Sequence, residues 1–238
     1  MFITAFPTFA RHRLPELMDQ PDIAKPEHEK ALAALARINR LSLSAATLWP
    51  SLKQLAQKLG RPLRILDVAS GGGDVSLQLA QQARRAGLQF EIVGVDVSST
   101  AISFASQRAA EVHAQVLFQQ CDVLLDPLPG EFDAVISSLF LHHLEEDAVV
   151  ALLGKMAEAA AHLLLINDLR RSRLGYWLAQ VVCHLVTTSQ VVHVDGPRSV
   201  AGAFTSQELR TLFDQAGLPG VCIRPCWPFR MLAAWSRT

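Results

Sequence analysis

Charge of one sign is never in excess in this chain. Over 238 residues, 22 Lys and Arg stand against 22 Asp and Glu, and the formal net charge is zero. Nucleic-acid-binding chains usually carry a basic surplus, so DNA and RNA are not expected as partners. Cysteine is sparse: Cys121, Cys183, Cys222 and Cys226 contain no CxxC pair. Cys222 and Cys226 lack a matching Cys/His pair, which argues against structural zinc. Reduced thiols in a cytoplasmic protein are the simpler expectation. The most apolar stretch, 174–186, is broken by Gln180 and His184 and falls short of the ~18 residues that cross a bilayer. No transmembrane segment is expected. The opening residues, MFITAFPTFARHRLPELMD, have no basic region followed by a long apolar core, so no secretory signal is read there. No repeat and no low-complexity tract is visible.

What is present is half hydrophobic, the composition of a parallel sheet covered by helices. From Pro26 the apolar spacing of Ala31, Leu32, Leu35 and Ile38 is helical. A second helix is expected over about 45–59, interrupted near Pro50 and ended by Gly60. Short strands are then expected at 63–69, 90–96, 115–122, 132–137 and 162–167, separated by helical stretches. Ser98 and Ser99 suit a helix cap, and Thr205 with Glu208 forms a capping box. Two last strands, 221–224 and 231–236, are joined by a turn too short for a crossover, so the final one should be antiparallel. The fold class expected is α/β: a doubly wound, Rossmann-like, seven-stranded sheet, mostly parallel with an antiparallel last strand. The expected organisation is an N-terminal helical extension or lid (1–59), then a domain over 60–238 with a substrate-cap insertion at about 169–204.

The first strand runs into Asp67-Val68-Ala69-Ser70-Gly71-Gly72-Gly73-Asp74, and a helix follows at once. Glycines there let the backbone approach a ligand and aim its amides at it. Asp96 ends the second strand, 23 residues after Gly73, where an acid can accept hydrogen bonds from ribose hydroxyls. Asp122 ends the third and can reach an adenine amino group. A nicotinamide dehydrogenase fits less well: its GxGxxG needs glycine at position 76, which is Ser76. The only tyrosine, Tyr176, is followed four residues later by Gln180 rather than lysine. A non-catalytic nucleoside-binding protein on the same fold is a further alternative.

This arrangement resembles the class I methyltransferases that use S-adenosylmethionine. Their glycine motif appears here as DVASGGG, with Ala69 at the first glycine position. The resemblance implies S-adenosylmethionine as cofactor, with Gly71 and Gly73 flanking its methionine part and Asp67 and Ala69 as further cofactor-binding residues of the same loop. Asp96 and Val97 would lie at the ribose, Asp122 and Val123 at the adenine, and Ser138 at the neighbouring strand end. The N-terminal helices would cover the donor, and Arg40 can pair with its carboxylate.

The fourth strand leads into Ser137-Ser138-Leu139-Phe140-Leu141-His142-His143-Leu144, a Leu-His-His stretch like that of many class I methyltransferases. His143, or else His142, can serve as a base near neutral pH. His193 and Asp195 lie two apart, as on an extended chain with both side chains on one face, and offer a second candidate pair. Asp168, Arg170 and Arg171 follow the fifth strand and can meet the substrate, although at least one arginine is expected to be solvated. Trp177, Leu178, Val181, Val182 and Leu185 suggest an apolar pocket wall. The fourth strand ends in serines instead of carboxylates, so an octahedral magnesium site is poorly supplied and no metal is expected. The pattern is similar to bacterial small-molecule methyltransferases of secondary metabolism. It implies a hydrophobic phenolic or polyketide-derived acceptor methylated on oxygen, with a quinone-type ring methylated on carbon as the alternative. A monomer or homodimer fits equally.

Overall fold

The computed structural model describes residues 8–20, 23–41 and 43–237. A seven-stranded sheet forms the centre, in the order β3-β2-β1-β4-β5-β7-β6. The strands are β1 (Leu63–Val68), β2 (Phe90–Asp96), β3 (Val116–Gln120), β4 (Phe132–Ser138), β5 (Ala160–Leu169), β6 (Cys222–Cys226) and β7 (Arg230–Ser236). β7 runs antiparallel to both β5 and β6, while β1 to β5 pair in parallel. Every strand read from the sequence is therefore present, and the antiparallel last strand is as expected.

The helices are α1 (Lys25–Leu41), α2 (Ser44–Leu59), α3 (Asp74–Arg85), α4 (Ser99–Glu111), α5 (Glu146–Ala159), α6 (Arg173–Val186), α7 (Gln190–Gly202) and α8 (Ser206–Gln215). Side chains alternate across a strand, so β1 feeds two cores. Leu63 and Ile65 meet Leu48 and Leu52 of α2 and Leu79 of α3. Leu66 and Val68 share the opposite face with Leu152 and Met156 of α5 and Leu209 and Phe213 of α8. α2 continues through Pro50 without the interruption expected there. The capping box of α8 forms as read, with both Thr205–Glu208 bonds present, and the Ser98 side chain caps α4.

β1 lies between β2 and β4, so the chain leaves it at the point where strand order reverses. In open α/β sheets the ligand crevice lies beyond the carboxyl ends of the strands at that point. The glycine loop, Asp96, Ser138 and Asp168 all stand at this edge. Because β7 is antiparallel, its first residue, Arg230, arrives there too, paired with Leu169 in the ladder.

Candidate active site

The loop after β1 is shaped by left-handed backbone at Ala69 (φ 57°), Gly71 (φ 52°) and Gly73 (φ 71°). A side chain on Gly73 would collide with Phe118 and Ala105, so helix α3 starts there only with glycine. Gly71 faces open space, and its amide donates to Asp96 Oδ2 at 2.8 Å. Asp96 Oδ1 accepts from the Ser98 amide at 2.9 Å. One carboxylate thus joins the glycine loop to the turn after β2.

Asp67 does not face this edge. It is buried beneath the loop and accepts from Ser76 Oγ at 2.6 Å. Burial pushes its pKa up to about 7. Ser76, the residue that departs from the dehydrogenase pattern, is therefore the partner of the buried acid. Asp122 sits in a turn, its Oδ1 accepting from Leu124 N at 3.0 Å. Val97 is exposed, whereas the Val123 side chain packs into the core. The side chain of Arg40 lies outside the described residues.

Several polar atoms at the carboxyl edge are buried with no hydrogen-bond partner among the described residues: Ser70 Oγ, Asp74 Oδ2, Ser138 Oγ, and both amide atoms of Asn167. They come from the ends of β1, β4 and β5 and the start of α3. Buried polar atoms are nearly always satisfied, so this set calls for a polar ligand.

Asp74 is held by Asn39 of α1, and burial raises its pKa. Asn39 Oδ1 accepts from Arg230 Nη2 at 3.1 Å, and Arg230 also bonds Ser44 Oγ at the start of α2. Burial lowers the Arg230 pKa to about 10, while Asp168 and Asp74 act to raise it. Arg230 thus ties both N-terminal helices to the sheet edge. No local motif marked it, because its partners are far away in sequence.

The two adjacent histidines form the 3-10 turn Leu141–His143. His142 is buried, and its Nδ1 lies 2.6 Å from Asp168 Oδ1. Burial pushes the Asp168 carboxyl up, but the His142 charge and hydrogen bond and the Leu169 amide overcome this and hold it below the usual carboxylate range. An ionised carboxylate only accepts hydrogen bonds, so Nδ1 is the donor to Asp168 and Nε2 is the ring nitrogen turned toward Glu16. Glu16 Oε1 lies 3.7 Å from His142 Nε2 and 3.8 Å from His143 Nε2. Glu16 belongs to the N-terminal segment and is not among the site residues expected from the sequence. Asp168 holds His142 through Nδ1, whereas the favoured His143 meets Glu16. Asp168, expected to meet substrate, orients the His142 imidazole instead.

Other expectations need correction. His193 and Asp195 do not form a pair, because their segment folds as α7, where residues two apart point to different faces. His193 Nε2 bonds the Thr187 carbonyl at 2.7 Å and its ring stacks on His184. Asp195 accepts from the amides of Leu17 and Met18 at 2.8 and 3.0 Å. Burial pushes its pKa up to about 6. Arg171 is neither solvated nor turned to a substrate. It is 4% exposed, pairs with both Glu208 oxygens at 2.9 and 2.5 Å, and donates to the carbonyls of Phe9 and Ala203. Arg170 is half-buried, and its amide donates to the Phe229 carbonyl. Trp177, Val181, Val182 and Leu185 stand exposed on α6, with Trp177 at 58%, so they do not wall an enclosed pocket.

The sheet order, glycine loop, strand-end acids and antiparallel β7 define a Rossmann-like methyltransferase fold. The family described as a methyltransferase domain matches residues 65–162. An uncharacterized methyltransferase of Mycobacterium tuberculosis strain H37Rv is 30% identical over 178 residues, covering 72% of this chain and 85% of its own length. The chain belongs to this methyltransferase family. Demethylmenaquinone methyltransferase of Thermus thermophilus is 40% identical over 75 residues, 31% of this chain and 32% of that protein. The matched part spans less than half the length of the first curated relatives it resembles. Human N-acetylserotonin methyltransferase, solved in complex with SAM, shares the fold at 17% identity, with a TM-score of 0.66 over 90% of this chain and 56% of that one. Among the described residues, no helix is long and apolar enough to cross a membrane.

Proposed function

We propose that this protein transfers a methyl group from S-adenosylmethionine to an oxygen of a small, hydrophobic, aromatic acceptor. The observation that carries the donor assignment is the set of partnerless buried polar atoms around an open glycine loop, with Asp96 bound to the Gly71 amide. The donor's amino-acid end is polar and charged, which suits Ser70, Asp74, Ser138 and Asn167. Its ribose hydroxyls suit Asp96, and its adenine suits the Asp122–Val123 turn. When bound, the donor supplies an activated methyl on a sulfonium. The chain itself has to align acceptor and methyl and manage the acceptor's proton.

The acceptor oxygen is placed against the cluster of His142, His143 and Glu16. Aromatic acceptors in the names of the relatives, demethylmenaquinone and N-acetylserotonin, support a small ring compound. The quinone relative favours one second reading, methylation of a ring carbon. The four free cysteines suit a reducing cytoplasm.

The test is calorimetric titration with S-adenosylhomocysteine, with NAD and NADP as controls. The wild-type protein should bind S-adenosylhomocysteine alone. Asp96→Ala should lose about 1–3 kcal/mol of that affinity through missing charge-assisted hydrogen bonds. Binding of a nicotinamide nucleotide in its place, or undiminished affinity in the variant, removes the assignment.

A further inference from the structure

Glu16, His142 and His143 bring three ligand atoms within 4.8 Å of one another. Glu16 and His142 are buried and His143 is half-buried. Two of the ligands are each hydrogen-bonded by a separate residue. His142 Nδ1 donates to Asp168 at 2.6 Å, which turns Nε2 inward. Glu16 Oε1 accepts from Ser199 Oγ of α7 at 2.5 Å. The strap that carries Glu16 is fixed on both sides of it. Arg11 donates to the carbonyls of Gly202 and Leu144, Arg13 donates to the His143 carbonyl, and Asp195 receives the Leu17 and Met18 amides.

Metal-ligating histidines almost always donate their other ring nitrogen to a carboxylate, carbonyl or water, and ligating carboxylates are hydrogen-bonded in turn. Both features are present here. Two imidazoles and one carboxylate are the protein donor set of catalytic zinc and related first-row cations, which complete their coordination with water or substrate. Magnesium prefers an all-oxygen shell and is disfavoured.

From this geometry we infer that Glu16, His142 and His143 bind one divalent transition-metal ion of the zinc type, with Asp168 and Ser199 as positioning residues. The magnesium site dismissed from the sequence would have lain at the ends of β4 and β5. This one draws instead on the N-terminal strap and the turn after β4. The inference deepens the functional reading and rests on it for the role of the ion. A hydroxyl acceptor that coordinates the ion loses its proton to water more readily. Its oxygen lone pair forms the new C–O bond as the C–S bond breaks, and that bond's electron pair stays on sulfur.

The experiment uses the full chain, stripped with a chelator and titrated with Co(II), read by visible absorption, and with Zn(II), read by calorimetry. One equivalent should bind. Glu16→Gln and His143→Asn, each checked for an intact melting transition, should lower affinity at least about 100-fold. Asp168→Asn and Ser199→Ala should lower it about 10–100-fold, and Asp168→Asn should also shift the Co(II) spectrum, which a purely structural role would not do. His113→Ala, at an exposed histidine on another face, should leave binding unchanged. The inference is overturned if the stripped protein takes up no ion, or if uptake survives Glu16→Gln and His143→Asn combined. S-adenosylhomocysteine titrated into the same stripped sample reports separately on the donor assignment, so the two readings fail independently.

Discussion

At the scale of single residues, the site is governed by what burial does to carboxylates. Asp67 lies wholly inside, with Ser76 as its hydrogen-bond donor, and its pKa rises to about 7 because the ion loses water. In the unfolded chain it titrates near 3.9. Between those values the folded state holds more protons than the unfolded state, so stability falls as pH rises through this window. Below about pH 4 the penalty is absent, and above about pH 7 it is complete. Asp67→Asn keeps an acceptor for Ser76 and removes the charge. The variant should therefore gain stability over the wild type as pH goes from 5 to 8, by about 3 kcal/mol, since about two pKa units of the shift lie in that window at ~1.4 kcal/mol each. Urea titrations of both proteins at the two pH values measure it, and a pH-independent difference would mean that Asp67 is already ionised at pH 5. Local pattern made this residue visible, but not its role: the acid-before-glycine motif suggested a ligand contact. Burial beneath the loop, a property of the assembled sheet, turned it toward Ser76.

At the scale of elements, strands and most helices were legible because their apolar periods and turn residues are local. β1, β2 and the Thr205 cap needed nothing from afar. α7 was not legible, since VVHVDGPRS holds a Gly-Pro pair that reads as a turn. It folds as a helix packed closely on α6 at Gly196, where a Cβ would sit 2.4 Å from Cys183 Sγ. Arg171 was misread for a related reason. Its partners are Glu208, Ala203 and Phe9, so one guanidinium joins β5, α8 and the N-terminal segment. Removing it with Arg171→Met leaves two carbonyls and a carboxylate that is 38% exposed. Breaking a fully buried pair costs ~3–5 kcal/mol, and the partial exposure of Glu208 brings the expected loss to about 1–3 kcal/mol. Thr205→Ala, which removes only the cap, should cost about 1 kcal/mol. Chemical denaturation of both variants ranks them, and an Arg171→Met loss smaller than that of Thr205→Ala would show the arginine to be solvated after all.

At the scale of the molecule, the donor edge is covered from above. Leu32 of α1 approaches Gly72, Asn39 of α1 reaches Asp74, and Arg230 binds Asn39 and Ser44 together. The N-terminal helices therefore close over the same loop that leaves buried polar atoms without partners. A ligand that supplies those partners should tighten the cover as well as the loop. A ligand binding only the folded state at 100 times its Kd adds ~2.7 kcal/mol. For a chain of this size that corresponds to a rise in Tm of about 5–11 °C. Hydrogen exchange then locates the gain. With S-adenosylhomocysteine bound, amides of α1 should slow along with those of residues 69–76, while the far strand β6 changes little beyond the global effect. Slowing confined to residues 69–76 would mean that α1 is a fixed wall, and faster exchange in α1 would mean that the donor displaces it. The expected pattern makes α1 a cover whose closure is coupled to the donor through Asn39 and Asp74.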